Sequence, residues 1–547
     1  MLIGELLLQS LKSHGAKQVF GIPGDFALPF FKVMEESEIL PLHTLSHEPG
    51  VGFAADAAAR YDGGIGVAAV TYGAGALNMI NSVACAYAER SPLVIVSGAP
   101  GRDECLNDLL LHHQVKTVDS QFNIYREITC AQTRLDDPAT APMEIARVLR
   151  ECKEKSLPVL IELPRDQVFT DSGEPITLPP TPYSNEAVQN CASSILQRLQ
   201  QASAPMLLVG AEIRRFQLED KVAKLARQLN IPVATTFMGR GLLVDSDAPL
   251  VGTYIGMAGD SQVQERVEES DGLLMLGVIV SDTNFGISAK RVEEQHAMLA
   301  SDQDVKVGFH FYHDIPLSAL LDALLNLSKD LPAPSEPLHF PKPDTPSLTI
   351  DDQAITPMDI AGAVNDMMRQ HGKMPIASDM GDCLFTAMDM EQTALTAPGY
   401  YATMGFGVPA GLGMQATDGR RPLILVGDGA FQMTGMELGN CSRYGWDPIV
   451  LVFNNASWKM LNIFQPESAF SDLGRWDFAS MAAGMGGDGY QVDSRRQLHH
   501  ALEKATNTRG RFQLIDIRIE PDQLSPTLNR FVTTINEKRR QATISVK

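Results

Sequence analysis

The sequence predicts an α/β protein made of three doubly wound, mainly parallel-sheet domains. Three observations lead there. Short β-branched runs alternate with helical segments along the whole chain, the pattern of parallel strands covered by crossover helices. A chain of 547 residues is too long for one hydrophobic core and divides into roughly three or four units of ordinary domain size. Two proline-rich stretches, SGEPITLPPTPYSNE at 172–186 and LPAPSEPLHFPKPDTPSL at 331–348, interrupt it where neither a helix nor a central strand can continue. The expected organisation is a first domain over 1–175, a linker over 176–190, a middle domain over 191–330, a second linker over 331–355 and a last domain over 356–547.

Each element follows from local pattern. The opening MLIGELLLQSLKSHG is apolar at helical spacing; it carries Glu5 and has no basic leader or small-residue cleavage site, so it reads as an amphipathic helix rather than a signal peptide. The first domain offers strands in GVAAVTYG, PLVIVSGAP and PVLIELP. The middle one offers PMLLVGAEI, PVATTF and GLLMLGVIVSD, and the last PIASDMGD, PLILVGDG, DPIVLVFNN and FQLIDIRI. First and last domains share an order of events. A Gly/Ala-rich helix (GFAADAAARY; GVPAGLGMQA) precedes a strand ending in a glycine turn (AAVTYGAG; LILVGDGA), then a helix, then a Pro-led strand. That is a weak internal repeat, and two similar lobes imply a ligand held between them. PMLLVG is not followed by Gly-x-Gly-x-x-Gly, so no bound dinucleotide is expected in the middle domain.

Composition narrows the partners. A net charge of -21 argues against nucleic acid or an anionic membrane and favours a small-molecule ligand. No apolar run reaches membrane-spanning length. The seven cysteines are scattered without metal-ligand spacing, as expected of reduced core residues in a cytoplasmic protein.

The chemistry-bearing stretch is VGDGAFQMTG. Gly427, Asp428, Gly429 and Ala430 form a glycine turn between a strand and a helix, where free backbone N–H groups and the positive end of the helix dipole favour phosphate. The next strand ends on Asn454 and Asn455. The Asp428 carboxylate, the Asn455 amide oxygen and the Ser457 carbonyl, completed by phosphate oxygens and water, would make the octahedral oxygen shell that Mg²⁺ prefers. Either motif alone is an ordinary turn or cap; together, each after a buried strand, they match the thiamine diphosphate signature.

The whole chain resembles thiamine diphosphate-dependent 2-keto acid decarboxylases, of the branch holding the pyruvate, indolepyruvate and phenylpyruvate enzymes and most like the bacterial phenylpyruvate and indole-3-pyruvate decarboxylases. The likeness is carried by GIPGDFALPFF, SHEP, TYGAGALN, LHHQ, SDMGDCLF, YYATMGFGVPAG and the Gly-Asp-Gly with Asn-Asn. It implies a pyrimidine-binding first domain and a diphosphate-binding last domain, with thiamine diphosphate and Mg²⁺ as cofactors. It makes Glu48 the acid at the far nitrogen of the aminopyrimidine. Asp25, His112 and His113 become a proton relay for the enamine left by decarboxylation and for aldehyde release, steps that call for groups titrating near neutrality. Met404 becomes the apolar wedge beneath the cofactor; the Ala402 carbonyl, Thr403, Thr71 and Asp382 line the same pocket. The cofactor would lie between the first lobe of one subunit and the last lobe of another, implying at least a homodimer and commonly a homotetramer.

The chain departs from the pyruvate enzymes at Leu461, which stands where they carry a glutamate facing the substrate. A roomier, more apolar pocket is implied. Met380, Phe385, Met460, Leu461 and Phe464 are the expected wall for an aromatic or long aliphatic side chain, with phenylpyruvate and indole-3-pyruvate as the 2-keto acid substrates. Asp282 and Thr283, in GVIVSDTNFG, are expected near the site entrance or a regulatory contact. The competing readings are an acetolactate synthase-like carboligase, a flavin-linked 2-keto acid oxidase, and a non-catalytic thiamine diphosphate sensor. The His-His pair and the missing dinucleotide fingerprint disfavour the first two, and the retained Glu48, Asp25 and histidines the third.

Overall fold

The computed structural model describes the chain except residues 107–108, 286–295, 333–335, 342–343 and 546–547, and leaves out the side chains of 537–545. Parts of the second linker, and Gly286 of GVIVSDTNFG, therefore lie outside the described residues. Three sheets carry the molecule. The first holds, from edge to edge, Leu42–Thr44, Val19–Gly21, Gly66–Val70, Leu93–Ala99, Val159–Pro164 and Ala131–Arg134, all parallel. The last holds Leu395–Thr396, Ile376–Ser378, Leu423–Gly427, Ile449–Asn454, Gln513–Arg518 and Asp488–Val492, again all parallel. Counted along the chain, both sheets have the strand order 2-1-3-4-6-5. The weak sequence repeat is thus a repeat of topology.

The middle sheet has seven strands. Five are parallel, and Asp304–Val307 and His310–Tyr312 are added antiparallel at one edge. Central strands such as Leu273–Leu276 and Leu423–Leu425 are fully buried, as expected of strands covered on both faces.

The two Gly/Ala helices of the repeat, Glu48–Asp62 and Gly407–Asp418, pack directly on one another. Small side chains let their backbones approach so closely that a Cβ at Gly413 would lie 2.1 Å from the Ala54 carbonyl oxygen. First and last lobes share one core through this seam, joining Val51, Phe53 and Ala57 to Phe406, Ala410 and Leu412.

Two details differ from the expectations. The helix Asn185–Gln201 starts inside the stretch expected as linker, because Ser184 caps it by accepting from the Ala187 N–H at 3.2 Å. All seven cysteines are free, but only Cys85, Cys152, Cys191, Cys383 and Cys441 are buried; Cys105 is exposed and Cys130 half-buried. Among the described residues no helix is long and apolar enough to cross a membrane.

Candidate active site

In an order 2-1-3-4 sheet, strands 1 and 3 are neighbours whose connections leave in opposite directions, opening a crevice at their carboxyl ends. Asp25 and Thr71 in the first lobe, and Met380 and Asp428 in the last, follow the strands that flank these two switch points.

In the first lobe, Asp25 follows strand Val19–Gly21 and Thr71 follows Gly66–Val70. Gly24 packs on Thr71 so tightly that a Cβ there would be 2.5 Å from the Thr71 Cβ. Asp25 Oδ2 is hydrogen-bonded to His112 Nε2, and His113 Nδ1 lies 3.9 Å from Asp25 Oδ1 and 3.2 Å from the Tyr72 carbonyl. The Phe26 ring stacks on His112 at 4.7 Å. Burial raises the Asp25 carboxyl, but the hydrogen bond and charge of His112 outweigh it and hold the group below the usual carboxylate range. His113 adopts φ +67°, and the Gly73 turn beside it leaves room for no Cβ, which would meet the His113 carbonyl at 2.0 Å. Glu48 opens its helix within this cluster, and its carboxylate accepts from Asn78 Nδ2 at 2.7 Å.

In the last lobe, Asp428 directly follows strand Leu423–Gly427, paired with Ile449–Asn454, which Asn455 follows. Asp428 Oδ1 accepts from the Gly429 N–H at 2.8 Å, while Oδ2 is buried with no partner. Burial pushes this carboxyl up to about 6, against hydrogen bonds from the Gly429, Ala456, Ser457 and Asn455 backbone. Asn455 Oδ1 accepts from the Ser457 N–H at 3.0 Å, and Ala456 between them is held at φ +58°. A Cβ on Gly427 would meet nothing within 4 Å, so open space lies in front of the turn, whereas Gly429 is pressed against the Trp458 ring. Ala430 is buried behind the turn.

The Ala402–Met404 loop is drawn to the same place. Ala402 has φ +60°, and the buried Asp379 accepts the N–H groups of Gly405 and Gly407 at 3.1 and 2.7 Å. Thr434 Oγ donates to the Gly405 carbonyl. Across the lobe seam, Thr403 Oγ1 accepts from Asn81 Nδ2 at 2.8 Å. Met404 is half-buried against the shared core.

The donors fit the cofactor that the sequence implies. Asp428 Oδ2 and Thr71 Oγ1 are both buried without partners, the first an oxygen able to ligate a cation and the second a hydroxyl left to bond a bound group. Open space before Gly427 at a strand-to-helix turn suits a diphosphate.

The expected substrate wall is altered. Phe385 is wholly buried, stacked on Phe237 at 5.7 Å and tilted on Phe531 at 5.2 Å, so it presents no surface to a substrate. Met380, Met460 and Phe464 pack at the margin of that same cluster, and Leu461 is half exposed. The helix Pro526–Ser545 covers the cluster through Leu528, Phe531 and Val532. Asp382, expected at the cofactor, instead gives its carboxylate to the N–H and hydroxyl of Ser525 just before that helix. Burial raises its carboxyl to about 6. Asp282 is exposed and accepts from the Thr283 N–H at 2.8 Å in a local turn; Thr283 is buried.

Three residues escaped the sequence reading. Asp379 shapes the 402–407 loop, Asn78 holds the Glu48 carboxylate, and Glu437 binds the segment leading into Glu48. All three stood in stretches already singled out, SDMGD, TYGAGALN and the helix AFQMTGMELGN after the glycine turn, but none was assigned a role there.

Comparison with known proteins agrees with the three-domain fold. The chain matches the thiamine pyrophosphate enzyme N-terminal TPP-binding domain over residues 1–124, the central domain over 192–325 and the C-terminal TPP-binding domain over 379–517. It is 58% identical to an indole-3-pyruvate decarboxylase of Azospirillum brasilense over 97% of this chain and 98% of that one. It is 28% identical to an alpha-keto-acid decarboxylase of Mycobacterium avium over 98% of each. The three-domain fold is that of a thiamine pyrophosphate enzyme. Within that class, the chain belongs to the thiamine diphosphate-dependent 2-keto acid decarboxylases and is a carboxy-lyase.

Proposed function

We propose that this decarboxylase acts on an aromatic or long-chain 2-keto acid, phenylpyruvate or indole-3-pyruvate, releasing the aldehyde and CO₂. The carrying observation is an apolar surface on the last lobe: Met380, Met460 and Phe464 margin a cluster covered by the helix Pro526–Ser545, and the exposed Leu461 adjoins Met460 in the chain. Leu461 puts no carboxylate there. The name of the Azospirillum brasilense relative points the same way.

Bound thiamine diphosphate supplies an electron sink for the pair of electrons left when CO₂ departs. Asp428, Asn455 and the Ser457 carbonyl would hold Mg²⁺, and the turn Gly427–Ala430 would take the diphosphate. Glu48 holds a proton at the pyrimidine. Thr71, Thr403, Met404 and the Ala402 carbonyl shape the pocket around it. Asp25, joined to His112 and beside His113, moves protons to and from the reacting carbon and oxygen. Apolar walls exclude water, which destabilises the substrate carboxylate more than the dispersed charge of the transition state. Asp282 and Thr283 stand toward the entrance.

We place the complete site between the first lobe of one subunit and the last lobe of a second, in a cytoplasmic homodimer or a homotetramer of such pairs. Exposed Leu106, Leu109 and Leu110 beside the histidines, and exposed Met433, Met436 and Phe470 beside the Asp428 turn, support an additional protein surface over both clusters. An aldehyde-coupled assay across pyruvate, phenylpyruvate, indole-3-pyruvate and branched 2-keto acids tests the substrate. Aromatic substrates should exceed pyruvate at least about tenfold in kcat/KM, a gain of about 1.4 kcal/mol from burying the ring. Preference for pyruvate would overturn the reading.

A further inference from the structure

The helix that Glu48 opens has no cap of its own. His47 stands at its N-cap position without a side-chain hydrogen bond, and Pro49 occupies its first turn. The cap comes from the other lobe. Glu437 Oε2 accepts the Ser46 N–H at 2.9 Å and its Oε1 the His47 N–H at 3.0 Å. Asn440 Nδ2 braces the arrangement, donating to Glu437 Oε2 at 2.9 Å and to Ser46 Oγ at 2.9 Å. Glu437 is 1% exposed, and no cation pairs with it among the described residues. Its approach also dictates Gly50, where a Cβ would lie 2.5 Å from Glu437 Oε1. A buried carboxylate at a helix N-terminus satisfies otherwise orphaned N–H groups and faces the positive end of the dipole.

Glu437 lies on the 3₁₀ turn Gly435–Asn440, which continues without a break from the helix Asp428–Thr434. One continuous piece of chain thus begins at the metal-site aspartate and ends gripping the two residues before Glu48. We infer that Glu437 is a positioning residue for Glu48: it fixes the start of the Glu48 helix so that the carboxylate meets the pyrimidine of the cofactor in register. This rests on the reading of Glu48 as the acid at that ring. A displacement of about 1 Å at such a position costs on the order of 10²-fold in rate.

The test uses reconstituted holoenzyme of Glu437→Gln, Glu437→Asp and Gly50→Ala, with Glu48→Gln in parallel. Gly50→Ala pushes on the Glu437 carboxylate from the opposite side without removing it, and carries the same test should Glu437→Gln prove insoluble. Three quantities are read: kcat and KM for the 2-keto acid, affinity for thiamine diphosphate and Mg²⁺, and the rate at which the C2 proton of the bound cofactor exchanges with D₂O. The expected pattern for Glu437→Gln and Gly50→Ala is a fall in kcat and in C2 exchange of about 10- to 100-fold, with KM and cofactor affinity within about threefold. Glu437→Asp should recover part of the loss. The double variant Glu437→Gln/Gly50→Ala should be no worse than the poorer single one, because both act through one contact. A loss of cofactor affinity equal to the loss of kcat, with normal exchange in the enzyme that still binds, would assign Glu437 a purely structural role and overturn the inference. So would rates within twofold of the parent, or effects that multiply in the double variant. If Glu48→Gln retains full turnover, the reading of Glu48 itself falls; if it is inactive while Glu437→Gln is normal, only the positioning role falls.

Discussion

Phe385→Ala separates a substrate wall from a structural core. The ring is wholly buried between Phe237 of the middle domain and Phe531 of the C-terminal helix, with Leu384, Ile255 and Leu528 in the same cluster. A buried phenylalanine removes on the order of 150–250 Å² from water, worth about 4–6 kcal/mol at 25 cal/mol/Å² as an upper figure. Phe→Ala substitutions in cores cost about 3–5 kcal/mol, and two ring partners place this site in the upper half of that range. With about 2–4 °C per kcal/mol for domains of this size, the thermal midpoint of the first transition should fall by about 8–20 °C. The loss should appear as earlier unfolding of Pro526–Ser545 and of the middle-domain contact, read by hydrogen exchange. Relative kcat/KM for phenylpyruvate and pyruvate, measured well below the new midpoint, should stay within about threefold. A shifted substrate ratio with an unchanged midpoint would refute the reasoning and return Phe385 to the substrate wall.

Other perturbations address the site and its surroundings. Leu461→Glu should move preference toward small keto acids by at least about tenfold, since it puts a charge into an apolar wall; an unchanged ratio for pyruvate and phenylpyruvate would remove Leu461 from that wall. Asp428→Ala should lose Mg²⁺-dependent cofactor binding by about 100-fold or more, whereas Glu48→Gln should bind the cofactor and fail to turn over; calorimetry and the aldehyde assay distinguish them, and equal affinity in Asp428→Ala would show the metal motif misread. Burial, and then the nearby Glu212 carboxylate, raise the Asp302 carboxyl to about 7 at the contact between the first and middle domains, although Arg90 lies 3.5 Å away. Between about pH 4 and 7 the native chain therefore holds a proton that the unfolded chain, with an ordinary carboxylate, has lost. Native stability should decline as pH rises through that window, by on the order of 2–4 kcal/mol once solvent screening of this partly exposed carboxyl is allowed for. Asp302→Asn should flatten the dependence in urea titrations, and parallel slopes for parent and variant would exclude Asp302 as its source.

The legible parts of this protein were those written in contiguous residues. Gly-Asp-Gly and Asn-Asn each sit at the end of a buried strand, so the strand pattern alone put Asp428 and Asn455 at carboxyl ends, and adjacent pairing of Leu423–Gly427 with Ile449–Asn454 made them neighbours. The shared Gly/Ala helices announced two related lobes. The same local reading failed where a side chain's surroundings come from elsewhere. Phe385 and Asp382 lie beside Met380 in sequence, yet the C-terminal helix claims both, one through Phe531 and the other through Ser525. Periodicity cannot distinguish a residue facing a pocket from one facing a distant helix.

The sequence by itself determined three α/β domains and the Gly-Asp-Gly and Asn-Asn turns at the ends of buried strands, because each depends on residues a few positions apart. Only the tertiary structure decided that the two terminal sheets share the order 2-1-3-4-6-5 and that Asp25 meets His112. It alone decided that Glu437 caps the Glu48 helix across 391 positions of chain. Contacts at such separation depend on how whole sheets and helices stack, with glycines such as Gly413 and Gly50 setting the closest approach, and no local pattern of residues encodes that distance.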